Sequence, residues 1–318
     1  MLLIGAASCS RPAPKPGDPL RLGHYPNITH AQALVGWIDG TFARALAPTP
    51  VHTKVFNAGP AAMEALLAGA LDVSYVGTSP ALIAYVRSNG GIRVVAGAVS
   101  GGSELIVKGA SSPSMLRGKR IAAPQLGNSQ DVTLRTWLRE NHLSFDRVGA
   151  DVNLFPLPNP DILALFRLGR LDAAWVPEPW GARLISEGGG SILVDERDLW
   201  DDRRFPTTLL VATTAALQHR RGEIEAFVRA HVELTQRWIR DPERFEEQVN
   251  EAFGALTAHP LAPAVLRDAF SRLEPVLAPF PEKLAIIAKH LEDLGYLPDS
   301  DTANAVDSSL LDAINTSR

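Results

Sequence analysis

The chain has 318 residues, 46% of them apolar and 21% charged, with a mean hydropathy of +0.01. These are the values of a folded chain with room for two ordinary domains, and they exclude a disordered or membrane-embedded one. A net charge of −4 without a Lys/Arg stripe excludes a grip on nucleic acid, and the single cysteine, Cys9, excludes disulfide staples and Cys-based zinc sites.

Cys9 follows the short apolar run MLLIGAAS and precedes the proline-rich SRPAPKPGDP. This order resembles the end of a bacterial lipoprotein signal, with Ala6-Ala7-Ser8-Cys9 as its lipobox. It implies lipidation at Cys9, with residues 1–19 as signal remnant and linker. The apolar run is far below the ~20 residues that a membrane span needs.

From Leu20 the pattern alternates between strand and helix. LRLGHY is a strand, THAQALVGWIDGTFARAL (29–46) carries helical spacing, VHTKVFN is a β-branched strand and PAAMEALLAG a helix closed by Gly69. LDVSYVG, SPALIAYVRSNG and GIRVVAGAV continue as strand, helix and strand. After ELIVKG the plan begins again: GKRIAAPQLGNSQDVTLRTWLRENHL is strand, turn and helix, ADVNLFPLP a strand, PDILALFRLG a helix, LDAAWVP a strand and EPWGARLISEGGG a helix. Such alternation predicts an α/β fold with mostly parallel central sheets.

The second pass repeats the first. LDVSYVGTSP at 71–80 returns as LDAAWVPEPW at 171–180, and the same spacing aligns Gly69 with Gly169, Leu34 with Leu134 and Trp37 with Trp137. Two similar α/β lobes explain this. SILVDERDLWDDRRFPTTLLVATT then gives a strand, a charged loop and a strand; from Ala215 onward only helices are expected. The predicted organisation is a first lobe over 20–102, a second over 103–206, and a return over 207–318 with a C-terminal helical block. The crossings fall near Gly102–Glu104 and Phe205–Thr208.

In open parallel sheets, ligands bind beyond the carboxyl ends of the strands. The turns there are 24–30, with Tyr25, Asn27, Thr29 and His30; Asn57–Pro60; Gly77-Thr78-Ser79-Pro80; 125–130, with Asn128, Ser129 and Gln130; and Pro177-Glu178-Pro179-Trp180. Gly102 joins them at the crossing. Small hydroxyls and amides before helix starts leave N–H groups for the oxygens of an anion, although each alone could be a helix cap. No Lys or Arg lies in these turns, so a nearby Arg203 or Arg204 is the available cation. Glu178 either caps its helix or accepts from a ligand's amine or hydroxyl. Tyr75, Trp175 and Trp180 serve as core or as cleft walls.

His24, His30 and His52 fit no metal-ligand spacing, and no metal or cofactor is expected. No G-x-S-x-G, P-loop, G-x-G-x-x-G or H-E-x-x-H occurs. The sequence offers little to a catalytic reading.

AGPAAMEALLAGALDVSYVGTSPALIAYV, PQLGNSQD with VTLRTWL, LDAAWVPEPWGARLI and the DERDLW…FPTT segment together resemble the nitrate/sulfonate/taurine family of solute-binding proteins of ABC importers. The likeness covers roughly residues 20–240. It implies a periplasmic-binding-protein fold of the second type, in which two hinged lobes close on a ligand and deliver it to a membrane permease and its ATPase. It implies a monomer at the periplasmic or extracytoplasmic face, tethered through Cys9, with a small organic oxyanion such as a sulfonate as ligand. Asn27 to His30, Thr78-Ser79, Asn128 to Gln130 and Glu178 to Trp180 would line its cleft. The rival is an enzyme on the same fold, similar to a pyrimidine-precursor synthase, using His24 or His30.

Overall fold

A computed structural model describes residues 17–316, so Cys9 and the proline-rich stretch up to Pro16 lie outside the described residues. The chain opens with β1 (Leu20–His24), a single 3-10 turn (Ile28–His30), α1 (Ala31–Ile38), α2 (Thr41–Leu46), β2 (Val51–Val55), α3 (Gly59–Leu67), β3 (Val73–Val76), α4 (Thr78–Arg87) and β4 (Ile92–Gly101). The stretch 29–46, expected to be one helical run, is broken at Asp39-Gly40. Gly40 takes a left-handed φ of 75°, open to a residue without Cβ, and the Asp39 carboxylate accepts the Thr41 N–H at 2.8 Å to start α2.

The second lobe holds β5 (Ser103–Val107), β6 (Arg120–Ala123), α5 (Ser129–Glu140), β7 (Asn153–Pro156), α6 (Asn159–Arg167), β8 (Ala173–Pro177), α7 (Trp180–Gly188) and β9 (Ser191–Asp195). The chain returns through β10 (Pro206–Thr213) into α8 (Thr214–His219), α9 (Arg221–Arg240), α10 (Pro242–Thr257), α11 (Pro263–Phe270), β11 (Leu273–Pro275), α12 (Pro281–Asp293) and α13 (Ser309–Thr316). The expectation of helices alone after Ala215 is corrected by β11, which pairs with Val99–Gly101 of β4. Three residues are too short for any periodicity to show. Pro275 is tolerated because β11 lies at the sheet edge, where a missing N–H costs little.

One sheet runs β11-β4-β10-β3-β1-β2 and the other β7-β6-β8-β5-β9. The centres are parallel, β1 with β2 and β3, and β6 with β7 and β8. The strand that enters each sheet from the other lobe, β5 in one and β10 in the other, runs antiparallel to its neighbours. The direction follows from the topology. The parallel strands point their carboxyl ends at the crossing, so a strand arriving from there must run the opposite way.

Each sheet carries its helices on both faces. α9 packs on α1 and α2 in the first lobe, where Phe42 and Phe227 stack at 4.3 Å. Trp175 and Trp137 meet edge-on at 6.1 Å in the second. The repeated Leu-Asp has a shared role at the base of both sheets. Asp72 accepts the Arg21 backbone N–H and Nε, both at 2.9 Å, and Asp172 accepts the same two groups of Arg120 at the same distance. Each arginine also reaches the glycine that closes the preceding helix, Gly69 or Gly169. One carboxylate thereby locks a helix end to the start of a neighbouring strand.

Candidate functional site

The carboxyl ends of β1, β2 and β3 face those of β6, β7 and β8 across a cleft, so the turns after these strands enclose a pocket. Its wall on the first lobe comes from Tyr25, Asn27, Thr29, His30, Asn57, Ala58, Gly59 and Gly77. The opposite wall comes from Asn128, Ser129, Gln130, Asn159 and Pro177, with Thr207 and Thr208 at the floor where β10 enters. Its cavity volume is about 30 Å³, room for roughly two water-sized groups at ~10–15 Å³ each. No Lys, Arg, Asp or Glu is among the lining residues.

Three helices, α3, α4 and α5, start at this pocket, and Ala58, Gly77 and Asn128 at their caps make no side-chain capping bond. The first N–H groups of α3 and α5 therefore keep positive partial charge at the cavity, while the Ser79 N–H in the first turn of α4 is taken by Ser129. Several buried polar atoms around it have no partner in the protein: the Tyr25 hydroxyl, His30 Nδ1 and Asn159 Oδ1. Groups of this kind cost free energy unless a ligand or water meets them. Tyr25 sits edge-on to His30 at 4.3 Å, which fixes both rings.

Burial favours the neutral form of His24 and His30. His24 is pushed down to about 4 by burial, and His30 lies well below its ordinary value through burial first and the neighbouring His24 second. Both ring nitrogens of His24 lack partners. His52 stands apart on an exposed position of β2. Among the described residues no three His, Cys, Asp or Glu side chains are grouped so as to hold a metal ion.

Two contacts join the lobes at the pocket: Trp180 Nε1 donates to Asn27 Oδ1 at 3.0 Å, and the Ser79 N–H donates to Ser129 Oγ at 3.2 Å. Of the residues expected from sequence, Tyr25, Asn27, Thr29, His30, Gly77, Asn128, Ser129 and Gln130 are brought together here. Thr78 and Ser79 line the neighbouring cavity, with the Thr78 hydroxyl donating to the Pro206 carbonyl. Trp180 lies behind the wall as a donor to Asn27.

Glu178 is placed elsewhere. It is fully buried at the crossing, its Oε1 accepts Arg272 Nε at 2.7 Å and its Oε2 accepts the Ala182 N–H at 3.0 Å, so its oxygens are already engaged. Gly102 also belongs to the crossing; its φ is 71°, and a Cβ there would stand 2.1 Å from Leu273 Cδ2. Arg203 and Arg204 do not supply the pocket with a cation, because they pair with Asp198 and Glu274. Tyr75 and Trp175 are core: the Tyr75 hydroxyl meets His231 at 2.9 Å and Trp175 Nε1 donates to Ser103 and Glu196.

Sequence reasoning missed Asn159, Thr207, Thr208 and Arg272. Asn159 had a signal, since it follows the β7 strand and opens α6 as the other site residues open theirs. Arg272 had none, lying 94 positions from Glu178 in the turn between α11 and β11. It also approaches Glu104 at 3.5 Å. Burial pushes both carboxyls upward, with the Glu178 charge adding to that on Glu104, and Arg272 opposes the rise.

Comparison with known proteins adds the last observation. The model of the NMT1-like family matches residues 13–251. The taurine-binding periplasmic protein of Escherichia coli (strain K12) is 27% identical over 218 residues, 68% of this chain and 66% of that one. A protein of Brucella abortus (strain 2308) is 29% identical over 161 residues, 50% of this chain and 48% of that one; the match thus spans about half the length of that relative. In fold, the alkanesulfonate-binding protein SsuA from Xanthomonas axonopodis pv. citri bound to MOPS aligns with a TM-score of 0.75 at 20% identity, over 93% of this chain and 99% of that one. The nitrate-binding protein NrtA from Synechocystis PCC 6803 aligns at 0.79 and 14% identity, over 94% and 88%. The resemblance to the nitrate/sulfonate/taurine family of solute-binding proteins is borne out.

Proposed function

The chain belongs to the NMT1-like family, and from that premise we propose that it is the solute-binding protein of an importer of the sulfonate, nitrate and taurine type. It captures a small organic oxyanion, sulfonate-like, between lobes 20–102 plus 207–318 and 103–206. It presents the closed form to a membrane permease and its ATPase. In this reading it works as a monomer on the periplasmic or extracytoplasmic face, anchored through Cys9.

The observation that carries the reading is the pocket itself: helix starts, amides and hydroxyls from both lobes converge on it, buried polar atoms lack partners, and no acid lines it. Oxygen atoms of an anion satisfy N–H and hydroxyl donors without a lysine or arginine. Because each lobe supplies part of the contact, a bound anion gains its full set of bonds only when the lobes are closed. Closure is then a population shift bounded by that differential affinity. The names of the relatives agree in kind, taurine-binding for one and alkanesulfonate-binding for another.

Thermal unfolding of the purified protein against methanesulfonate, taurine, nitrate and bicarbonate tests this. At least one is expected to raise Tm, with mass spectrometry showing the compound unchanged. Conversion of a compound that gives no such stabilisation would replace the reading by an enzyme using His24 or His30.

A further inference from the structure

An anion entering the polar pocket brings a full negative charge into a space that offers no full positive one, since no Lys or Arg lines it. Helix starts and amides meet the oxygens, yet the closed cleft is left holding a net charge away from water, which is costly. One group at the wall can change that. His30 lines the pocket, is 3% exposed, and its Nδ1 has no partner in the protein. Such a ring nitrogen is free to take a proton, and the protonated ring then donates from both nitrogens.

The surroundings of His30 decide when that proton arrives. On its own side stand Tyr25, edge-on at 4.3 Å and held neutral by burial, and His24, both of whose ring nitrogens lack partners. The elements β4, β10, α1 and α10 also pack against the 28–30 turn, and none brings a charged group that shifts His30. Across the pocket, Asn128, Ser129, Gln130, Asn159 and Pro177 carry no titratable group. Burial and His24 therefore favour the neutral ring. An anion about 4 Å away, at an effective protein dielectric of about 20, reverses that balance by raising the ring's affinity for a proton roughly a thousandfold. A second proton on His24 would face the first, so the pair takes one.

We infer that capture of an anion in this pocket takes up one proton from solvent, held on His30, so that the charge enters the cleft as a neutral pair. The inference rests on the binding-protein reading and names how that site is regulated. The proton adds to the unpartnered lone pair of the ring and leaves with the anion. Acid surroundings then favour capture, and a rise in pH favours release.

Calorimetric titration with methanesulfonate, taurine and nitrate tests it, because these compounds keep their own charges from pH 5 to pH 8 and any proton taken up is the protein's. Near pH 5.5, repeats in buffers of different ionisation enthalpy should give about one proton taken up per anion bound. The dissociation constant should rise about tenfold from pH 5 to pH 6. His30→Asn should abolish both effects, and His24→Asn should keep them. Saturable binding whose heat is independent of buffer and whose dissociation constant is the same from pH 5 to pH 8 overturns the inference and leaves the binding reading standing. Proton uptake that survives His30→Asn overturns it as well. Should His30→Asn fail to fold, the proton count of the wild type still decides. If none of the three compounds binds at any pH, the inference and the binding reading fall together.

Discussion

Strands β3 and β8 are built alike at one end and differently at the other. At their bases, Asp72 and Asp172 hold Arg21 and Arg120 in the same geometry, each spanning a helix-ending glycine and a neighbouring strand. At their tips, Gly77-Thr78-Ser79 begins a helix where the two lobes touch through Ser79 and Ser129, whereas Glu178 is bolted to Arg272 at the crossing. The base is scaffold, so both lobes keep it; the tip is where each lobe meets the other, and there the two took different tasks. One tip donates across the chain to Pro206 and Ser129, and the other is held by an ion pair where the chain crosses between the sheets.

The largest expected effect comes from breaking the hinge bolt. Arg272→Met leaves Glu178 and Glu104 buried without a cation and should cost about 3–5 kcal/mol in urea unfolding. The corresponding change at the other tip, Thr78→Val, removes a neutral bond to Pro206 and should cost about 1 kcal/mol. Equal losses would erase the distinction between the tips.

Glu196 sharpens the comparison through pH. Burial raises its carboxyl to about 7 against the usual 4.5. Between those values the folded chain holds a proton that the unfolded chain has released, so this group's contribution to stability falls as pH rises through the window. Glu196→Gln removes the effect, and the variant should gain about 3 kcal/mol relative to wild type between pH 4 and pH 8. Unfolding curves across that range check it; a constant difference would mean the carboxylate is already solvated.

The bases are similar in geometry and unlike in burial. Asp72 is also approached by the buried Arg220 at 3.3 Å, and its side chain is 5% exposed against 25% for Asp172. Asp72→Asn should cost about 2 kcal/mol, in the range of hydrogen bonds to charged groups, and Asp172→Asn clearly less. The smallest effect on stability is expected at Gly77→Ala. A Cβ there would stand 2.6 Å from Ser129 Oγ across the seam between the lobes, while its φ of −67° suits alanine. Folding should change little, and anion affinity should fall several-fold because the lobes cannot close fully; unchanged affinity would show that this seam does not close on ligand.

How far the sequence reached follows from the range of each interaction. Alternating periods, helix-ending glycines and the Leu-Asp repeat are local, and they led to both lobes, their strands and the turns that make the pocket. The break at Gly40 and the strand Leu273–Pro275 were hidden because one glycine within a helical pattern, or three residues of strand, changes no period. Arg272 was hidden for a different reason. Its partners Glu178 and Glu104 lie far away in the chain, and nothing near it in sequence distinguishes an arginine that reaches the crossing from an ordinary one.

The central claim is that the neutral pocket between the lobes captures an anion. Calorimetric titration of the wild type and of Ser129→Trp, using the anion that most raises Tm, tests it most directly. The account predicts saturable one-to-one binding by the wild type and none by the variant, with both unfolding at similar temperatures. Binding that survives the tryptophan undiminished would contradict it.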